Sequence, residues 1–441
     1  MAKFAPDRPL PRARPLARSL FYLALATLPL ELPITQVAHA LFANLVGPAY
    51  VLFHPFTLLV FAFSMTVVPN FRLSRAEVVR VALLGVCGAG IAISSYFSAS
   101  DFSLTIKYIY FGIGSATIST LIFGRCRVDQ HMAKFFCFGI LIWATVLSLA
   151  WIYYFLTTTT YSSRLPEKIL SLRAPGESIA GQSIFFYLAG NVNKVANYTL
   201  LYMLLLGLAR WKGLLGAGTY WLAQLLMMTL LVVTFSRGAF VTLAILGAGF
   251  AATAALRWRA DISQSRRYLV LTSVLLLPVA VSISDGFFWD YWRNLDTVSA
   301  RIHQATEVGM SVDNLLLGEK AGIAGHQLAL LGYGVGNYGL VFFGDPARGT
   351  HNLFLDIWTN GGILAALGFL GFLAVSLWGG LRGLVEGWND DLLIGVAGIV
   401  AIVILAFREY DLAYLYATSI GGLLVGGFSG LASADSPSAS S

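Results

Sequence analysis

Apolar runs of about 20 residues recur from near the N-terminus almost to the end of the 441-residue chain, and one such run, coiled as a helix, crosses the hydrocarbon layer of a bilayer. A soluble core has no use for so many of them. Lipid offers no partner to backbone N–H and C=O groups, so each run must satisfy its own, which fixes an all-α integral membrane architecture. Composition agrees, with 57% hydrophobic residues and 12% Asp, Glu, Lys and Arg, about half the charged share of a soluble domain. An ordinary soluble enzyme is excluded.

A sliding window of about 19 residues places spans at 17–32, 49–69, 81–98, 104–123, 135–156, 192–209, 216–235, 239–256, 268–284, 352–378, 391–407 and 412–430, twelve in all. The expected organisation is a basic N-terminus over 1–16, spans one to nine within 17–284, a long loop over 285–351, the last three spans within 352–430, and a small polar segment, expected to be disordered, over 431–441. With the N-terminus inside, the inner loops carry Arg72, Arg75 and Arg80, then Arg125, Arg127 and Lys134, Arg210 and Lys212, Arg257, Arg259, Arg266 and Arg267, and Arg382. The reverse orientation would put these clusters outside, against the positive-inside rule, so both termini are expected in the cytoplasm. The net charge of +7 thus reflects topology rather than nucleic acid.

Cys87, Cys126 and Cys137 form no CxxC, which supports neither a disulfide framework nor a thiolate metal site. The first apolar run follows Lys3, Arg8, Arg12, Arg14 and Arg18 in the manner of a signal peptide, yet it contains Pro29, Glu31 and Pro33 and lacks a small-residue cleavage site. It reads as a retained first span.

Basic residues outside the inner loops carry more information, because topology gives them no purpose: Lys107, Arg164, Lys168, Arg173, Lys194, Arg237, Arg293, Arg301, Lys320, Arg348 and Arg408. Many fall in two long outer segments, 157–191 and 285–351, and loops of that length are usually functional. In the second, a helix from Asp296 to about Met310 and an apolar patch at Leu328 to Leu331 suggest interfacial helices.

Arg237 stands in TFSRGAF, in a tight outer turn between two spans. A guanidinium fixed there, beside Ser236 and Gly238, presents a planar fork of donors suited to a phosphate or diphosphate. The plain alternative is a side chain snorkelling to lipid headgroups. Arg301 lies in TVSARIHQATEVG on the expected outer helix, where a solvated face is the competing reading. Arg408, in FREYD, forms a second tight outer turn, with Glu409 and Asp411 at hand for internal pairing. Lys107, in mid-span beside Tyr108 and Tyr110, is either functional or snorkels past Asp101.

His351 precedes the apolar run that begins at Leu353, a position that keeps imidazole neutral and suits a general base, although a histidine at the edge of a span, taken alone, is more often structural. His54, in LFHPF, has no polar sequence neighbour. The alternating Gly332, Gly334 and Gly336 of LGYGVGNY lack a βαβ setting, so they mark flexible backbone near a ligand or simple turns rather than a dinucleotide site. HExxH, Asp-x-Asp and Walker sequences are absent, which disfavours a zinc hydrolase, a nucleotide-sugar enzyme and an ATP-driven pump. Arg237, Arg301 and His351 come from three outer segments on one side of the membrane, a cation-rich setting with one base that suits an anionic, lipid-linked substrate.

In this order the segments GNVNKVANY (190–198), SRGAF (236–240), SARIHQA (299–305), GYGVGNY (332–338) and THNLFLDIWTNGGILAALG (350–368) resemble the O-antigen ligase and polymerase superfamily. The first half is similar only in hydropathy. The resemblance implies a GT-C-type glycosyltransferase of a bacterial inner membrane, with a periplasmic site and an undecaprenyl-diphosphate-linked glycan as donor. The acceptor it implies is a lipid A-core sugar or another glycan. It implies diphosphate contacts for Arg237 and Arg301, acceptor activation by His351, further substrate contacts from Arg408, Arg164, Asn352, Tyr333 and Asn337, and neither metal nor other cofactor. Ligase is the expected activity, polymerase the close alternative. A transporter or flippase of an anionic lipid-linked cargo is the reading from another class.

Overall fold

The computed structural model describes residues 15–31, 34, 54–67, 73–98, 102–125, 130–157, 192–234, 236–284, 331–337, 352–408 and 419–432. Among them the secondary structure is helical, without strands. The helices are α1 (Pro15–Thr27, prolonged by a 3-10 turn at Leu28–Leu30), α2 (Pro55–Val67) and α3 (Arg75–Phe97). A composite α4 spans 102–125, with a π-helical turn at Tyr108–Gly114, and is followed by α5 (Gln130–Thr157). Next come α6 (Val192–Trp211), α7 (Ala217–Thr234), α8 (Arg237–Arg257) and α9 (Ile262–Ser284), then α10 (Leu353–Glu386), α11 (Asp390–Arg408) and α12 (Ile420–Leu431). Each apolar run of the sequence overlaps one of them.

Six described helical stretches are long and apolar enough to cross a membrane: Arg75–Phe97, Leu104–Phe123, Ala133–Tyr153, Ala217–Thr234, Arg237–Arg257 and Leu353–Glu386. The protein is a helical membrane protein. Leu16–Leu30, Pro55–Ser64 and Ile420–Leu431 are apolar but shorter. Large side chains such as Phe138, Leu149, Leu225 and Leu367 remain exposed on the described surface, which only a lipid surround makes inexpensive.

Small residues let helices meet backbone to backbone, the usual basis of helix association in lipid. A Cβ on Gly90 of α3 would lie 2.6 Å from the Ala365 nitrogen of α10, and one on Gly368 of α10 would lie 2.7 Å from the Leu83 oxygen of α3. Helix α12 sits as closely on α4, where a Cβ on Gly426 would run into the Ala116 carbonyl.

Polar groups gather at the two ends of the bundle. At the foot end, Trp388 Nε1 donates to the Tyr268 hydroxyl at 2.8 Å, that hydroxyl donates to Asp390 Oδ1 at 2.7 Å, and Gln264 Nε2 donates to the same oxygen at 3.1 Å. Arg257 stacks on Trp388 with its guanidinium carbon 4.8 Å from the ring centre, and Lys212 pairs with Asp391 at 2.5 Å. This belt joins the C-terminal ends of α6, α8 and α10 to the N-terminal ends of α9 and α11. At the same end Arg80 of α3 reaches the Ser429 carbonyl of α12 at 3.3 Å. The opposite, head end is where α8 and α10 begin and α3 finishes.

Candidate functional site

At the head end, α10 opens on a capped turn. Asn352 Oδ1 accepts from Phe354 N at 3.0 Å and Leu355 N at 3.2 Å, filling donors that the first turn of a helix leaves open. Further in, Gly362 (φ 68°, ψ −171°) interrupts the helix. The interruption leaves carbonyls of the preceding turn in need of donors, and Thr359 O accepts from Tyr333 N at 2.5 Å.

Tyr333 belongs to the glycine-rich segment 331–337, which enters between α3 and the broken turn of α10. Gly334 N donates to Ser94 Oγ at 2.8 Å and Val335 N to Ser95 Oγ at 3.4 Å, both hydroxyls standing in the last turns of α3. Gly332, Gly334 and Gly336 have φ of 77°, 80° and 81°. A Cβ on Gly332 would come 2.5 Å from the Gly362 nitrogen, so left-handed backbone and lack of space both demand glycine there. Of the two readings open in the sequence, tight turns describe these glycines. Tyr333 is buried, and its carbonyl accepts from Asn337 Nδ2 at 3.0 Å. Irregular backbone next to spanning helices is tolerated when protein takes up its polar groups, as here.

Beneath this segment lies a carboxyl group. Asp356, 6% exposed, interacts with the side chains of Asn360, on its own helix, and Tyr108, from the π-helical turn of α4. π-helical turns widen a helix by one residue and are frequent at functional sites. Lys107 immediately precedes this one and is half-buried. Among the described residues nothing pairs with its ammonium. Leu104, one turn earlier on α4, meets Gly336, so Lys107 and Tyr108 occupy the part of α4 that borders the glycine segment and the start of α10.

Arg237 is the first residue of α8 and is half-buried. Ser236 before it is 1% exposed, makes no side-chain cap, and has no hydrogen-bond partner for its Oγ among the described residues. Since Arg257 closes α8 in the foot-end belt, Arg237 stands about 30 Å away at the head end, the end at which α10 begins. Arg408 closes α11 at that end too, with its side chain outside the described part. His351, Arg301 and Arg164 lie outside the described residues; His351 directly precedes the Asn352 cap. Arg237, Asn352, Tyr333 and Asn337 therefore share one end of the bundle. The described contacts of Asn352 and Asn337 are to backbone.

Two groups went unpaired in the sequence. His54, which has no polar neighbour there, has one in space: its Nε2 is 2.5 Å from Glu31 Oε1, with both side chains buried. Glu31 also accepts from Ser419 N at 2.5 Å, Ser419 Oγ at 3.0 Å and Ile420 N at 3.0 Å, so a carboxylate sits on the N-terminus of α12. The His54 ring packs on Phe111, 4.1 Å between centres, within the same π-helical turn. An acid in an apolar run, Glu31, was the available signal. The other is Asp356, in the first turn of α10 within the HNLFLD stretch, where its apolar surroundings were the clue.

Among the described residues no group of His, Cys, Asp and Glu is arranged to hold a metal ion. Compared with models of known protein families the chain finds no match, and a search among curated proteins finds none either.

Proposed function

We propose that this chain is an O-antigen ligase of GT-C type with twelve spans. It moves glycan from undecaprenyl diphosphate to a lipid A-core hydroxyl at the periplasmic face of a bacterial inner membrane. The ordered set of segments from GNVNKVANY to THNLFLDIWTNGGILAALG carries the reading. The gathering of Arg237, the start of α10 and the glycine segment at one end of the bundle supports it. Arg210, Lys212, Arg257 and Arg266 stand at the other end, which supports a cytoplasmic foot.

In this mechanism neutral His351 takes the proton of the acceptor hydroxyl as its oxygen attacks the anomeric carbon, on the face opposite the diphosphate. The carbon–oxygen bond to the diphosphate breaks, the anomeric centre inverts, and Arg237 and Arg301 hold the departing charge. The diphosphate is already a good leaving group, so one base and fixed cations suffice. Lys107 supplies a further cation in the same corner.

Purified protein, undecaprenyl-diphosphate-linked glycan and lipid A-core, incubated with EDTA, test the proposal. A glycosylated lipid A-core product that disappears in His351→Ala is expected. Glycan lengthened on its carrier without lipid A-core would instead make the enzyme a polymerase.

One observation favours a different class. A broken helix with a buried acid beside the break, as at Gly362 and Asp356, is a feature of secondary transporters. In that case no covalent product forms, and cargo crosses only in sealed vesicles.

A further inference from the structure

Along α6, Asn197, Leu200, Leu204, Gly207 and Trp211 recur at spacings of three and four and so share one face. The foot half of that face packs on α8 and α9. Between ring centres, Trp211 is 6.2 Å from Phe250 of α8 and 5.2 Å from Tyr268 of α9, and Leu271 of α9 lies against Gly207.

These contacts set the register of α6 and α8, which both run from head to foot. Asn197 lies fourteen residues before Trp211, and Ser236 fourteen before Phe250, so each stands about 21 Å nearer the head. A second tie agrees: Leu271 meets Gly207 of α6 while its neighbour Thr272 donates through Oγ1 to the Gly247 carbonyl of α8 at 3.4 Å. Ten residues before these two glycines come Asn197 and Arg237. Asn197 is therefore level with the start of α8.

Two side chains at this level are buried without a hydrogen-bond partner among the described residues. Asn197 is 0% exposed with both Oδ1 and Nδ2 unbonded, and Ser236 is 1% exposed with Oγ unbonded. A buried amide lacking partners costs stability that an apolar side chain of the same shape would not. Folding gains nothing from it, which points to a ligand that completes it. Lys194, one turn nearer the head on α6 and also buried, brings a cation to the same level. Ser236 makes no cap, so the first turn of α8 offers its N–H groups alongside Arg237.

We propose, resting on the ligase reading, that Asn197 selects the sugar attached directly to the donor's diphosphate. Its Oδ1 accepts from one hydroxyl of that sugar and its Nδ2 donates to the neighbouring one. A diphosphate has no donor to offer Oδ1, and belongs on Ser236 Oγ, the open turn of α8 and Arg237.

The test measures the affinity of the full chain, purified in detergent, for undecaprenyl diphosphate with and without one N-acetylglucosamine. The wild type should bind the sugar-bearing form at least tenfold more tightly. Asn197→Leu should abolish that preference, leave affinity for bare undecaprenyl diphosphate unchanged, and melt at or above the wild-type temperature, since it breaks no hydrogen bond. Ser236→Ala should weaken both ligands by the same factor. Asn197→Ala, which only shortens the side chain, should give the same loss of preference and decides the matter if Asn197→Leu does not fold. A sugar preference that survives at position 197, or a variant that melts well below the wild type and loses both ligands in proportion, would overturn the proposal. So would a wild type that binds both forms equally, with the ligase reading left standing; no affinity for either form would remove that reading as well.

Discussion

A carboxylate within a membrane bundle is costly unless its oxygens are occupied. Glu31 meets that condition through His54, Ser419 and Ile420, and so fastens α1, α2 and α12 together. Glu31→Ala leaves a buried imidazole and a bare helix N-terminus, and should cost about 3–5 kcal/mol of stability. Thermal melting in detergent reads this directly, and a variant melting with the wild type would show that Glu31 is not a fastening. For the proposed transfer reaction the residues to test are Arg237, His351 and Lys107. Arg237→Lys should lower kcat by about 10²–10³, because an ammonium cannot replace the planar fork. Near-normal turnover would reduce Arg237 to a lipid anchor. Lys107→Met should lower kcat/KM while the melting temperature stays put, since no described contact depends on that ammonium. A fall in both would make Lys107 structural. Lys107 and Arg237 could be singled out in the sequence from chemistry and position, Asn352 only through the resemblance. The Glu31–His54 pair could not, because residues 23 positions apart meet only when α12 supplies the third side.

Helix existence followed from the apolar runs: each run overlaps a described helix, and six of the described helical stretches are long and apolar enough to cross a membrane. Where helices deviate from regularity was not legible, because packing rather than propensity decides it. The π-helical turn of α4 and the break at Gly362 of α10 both lie where a neighbour presses in: Tyr108 reaches Asp356, and the glycine segment meets Thr359 and Gly362. Gly362→Ala should cost about 1–2 kcal/mol for left-handed backbone alone. Ser94→Ala removes the acceptor of Gly334 N, worth about 1 kcal/mol. Both changes should speed amide hydrogen exchange of residues 331–337 while leaving the exchange of α6 and α12 unchanged. Uniform acceleration throughout the bundle would mean that the segment is not held locally.

The whole molecule has two unlike ends. The foot end is tied by the Arg257, Trp388, Tyr268, Asp390 and Lys212–Asp391 belt, the head end by Glu31 and by the glycine segment. If the foot is cytoplasmic, a cysteine placed at Gly213, in a chain lacking Cys87, Cys126 and Cys137, should resist a membrane-impermeant maleimide in spheroplasts. One placed at Thr350 should react. The opposite pattern would invert the orientation and move the proposed site to the cytoplasm.

The sequence alone determined the solvent, the helical class and the positions of the helices, because hydropathy is a local property and backbone hydrogen bonds in lipid must close within each segment. It also singled out residues with the right chemistry, since an unneeded cation or a span-edge histidine is conspicuous against an apolar background. The tertiary structure decided which of them share an end of the bundle, how Glu31 finds its partners, and that the glycines of 332–336 fill a broken helix rather than form a free loop. Such features depend on contacts between residues far apart in the chain, where small side chains allow close approach and buried polar groups take whichever partner the packing delivers.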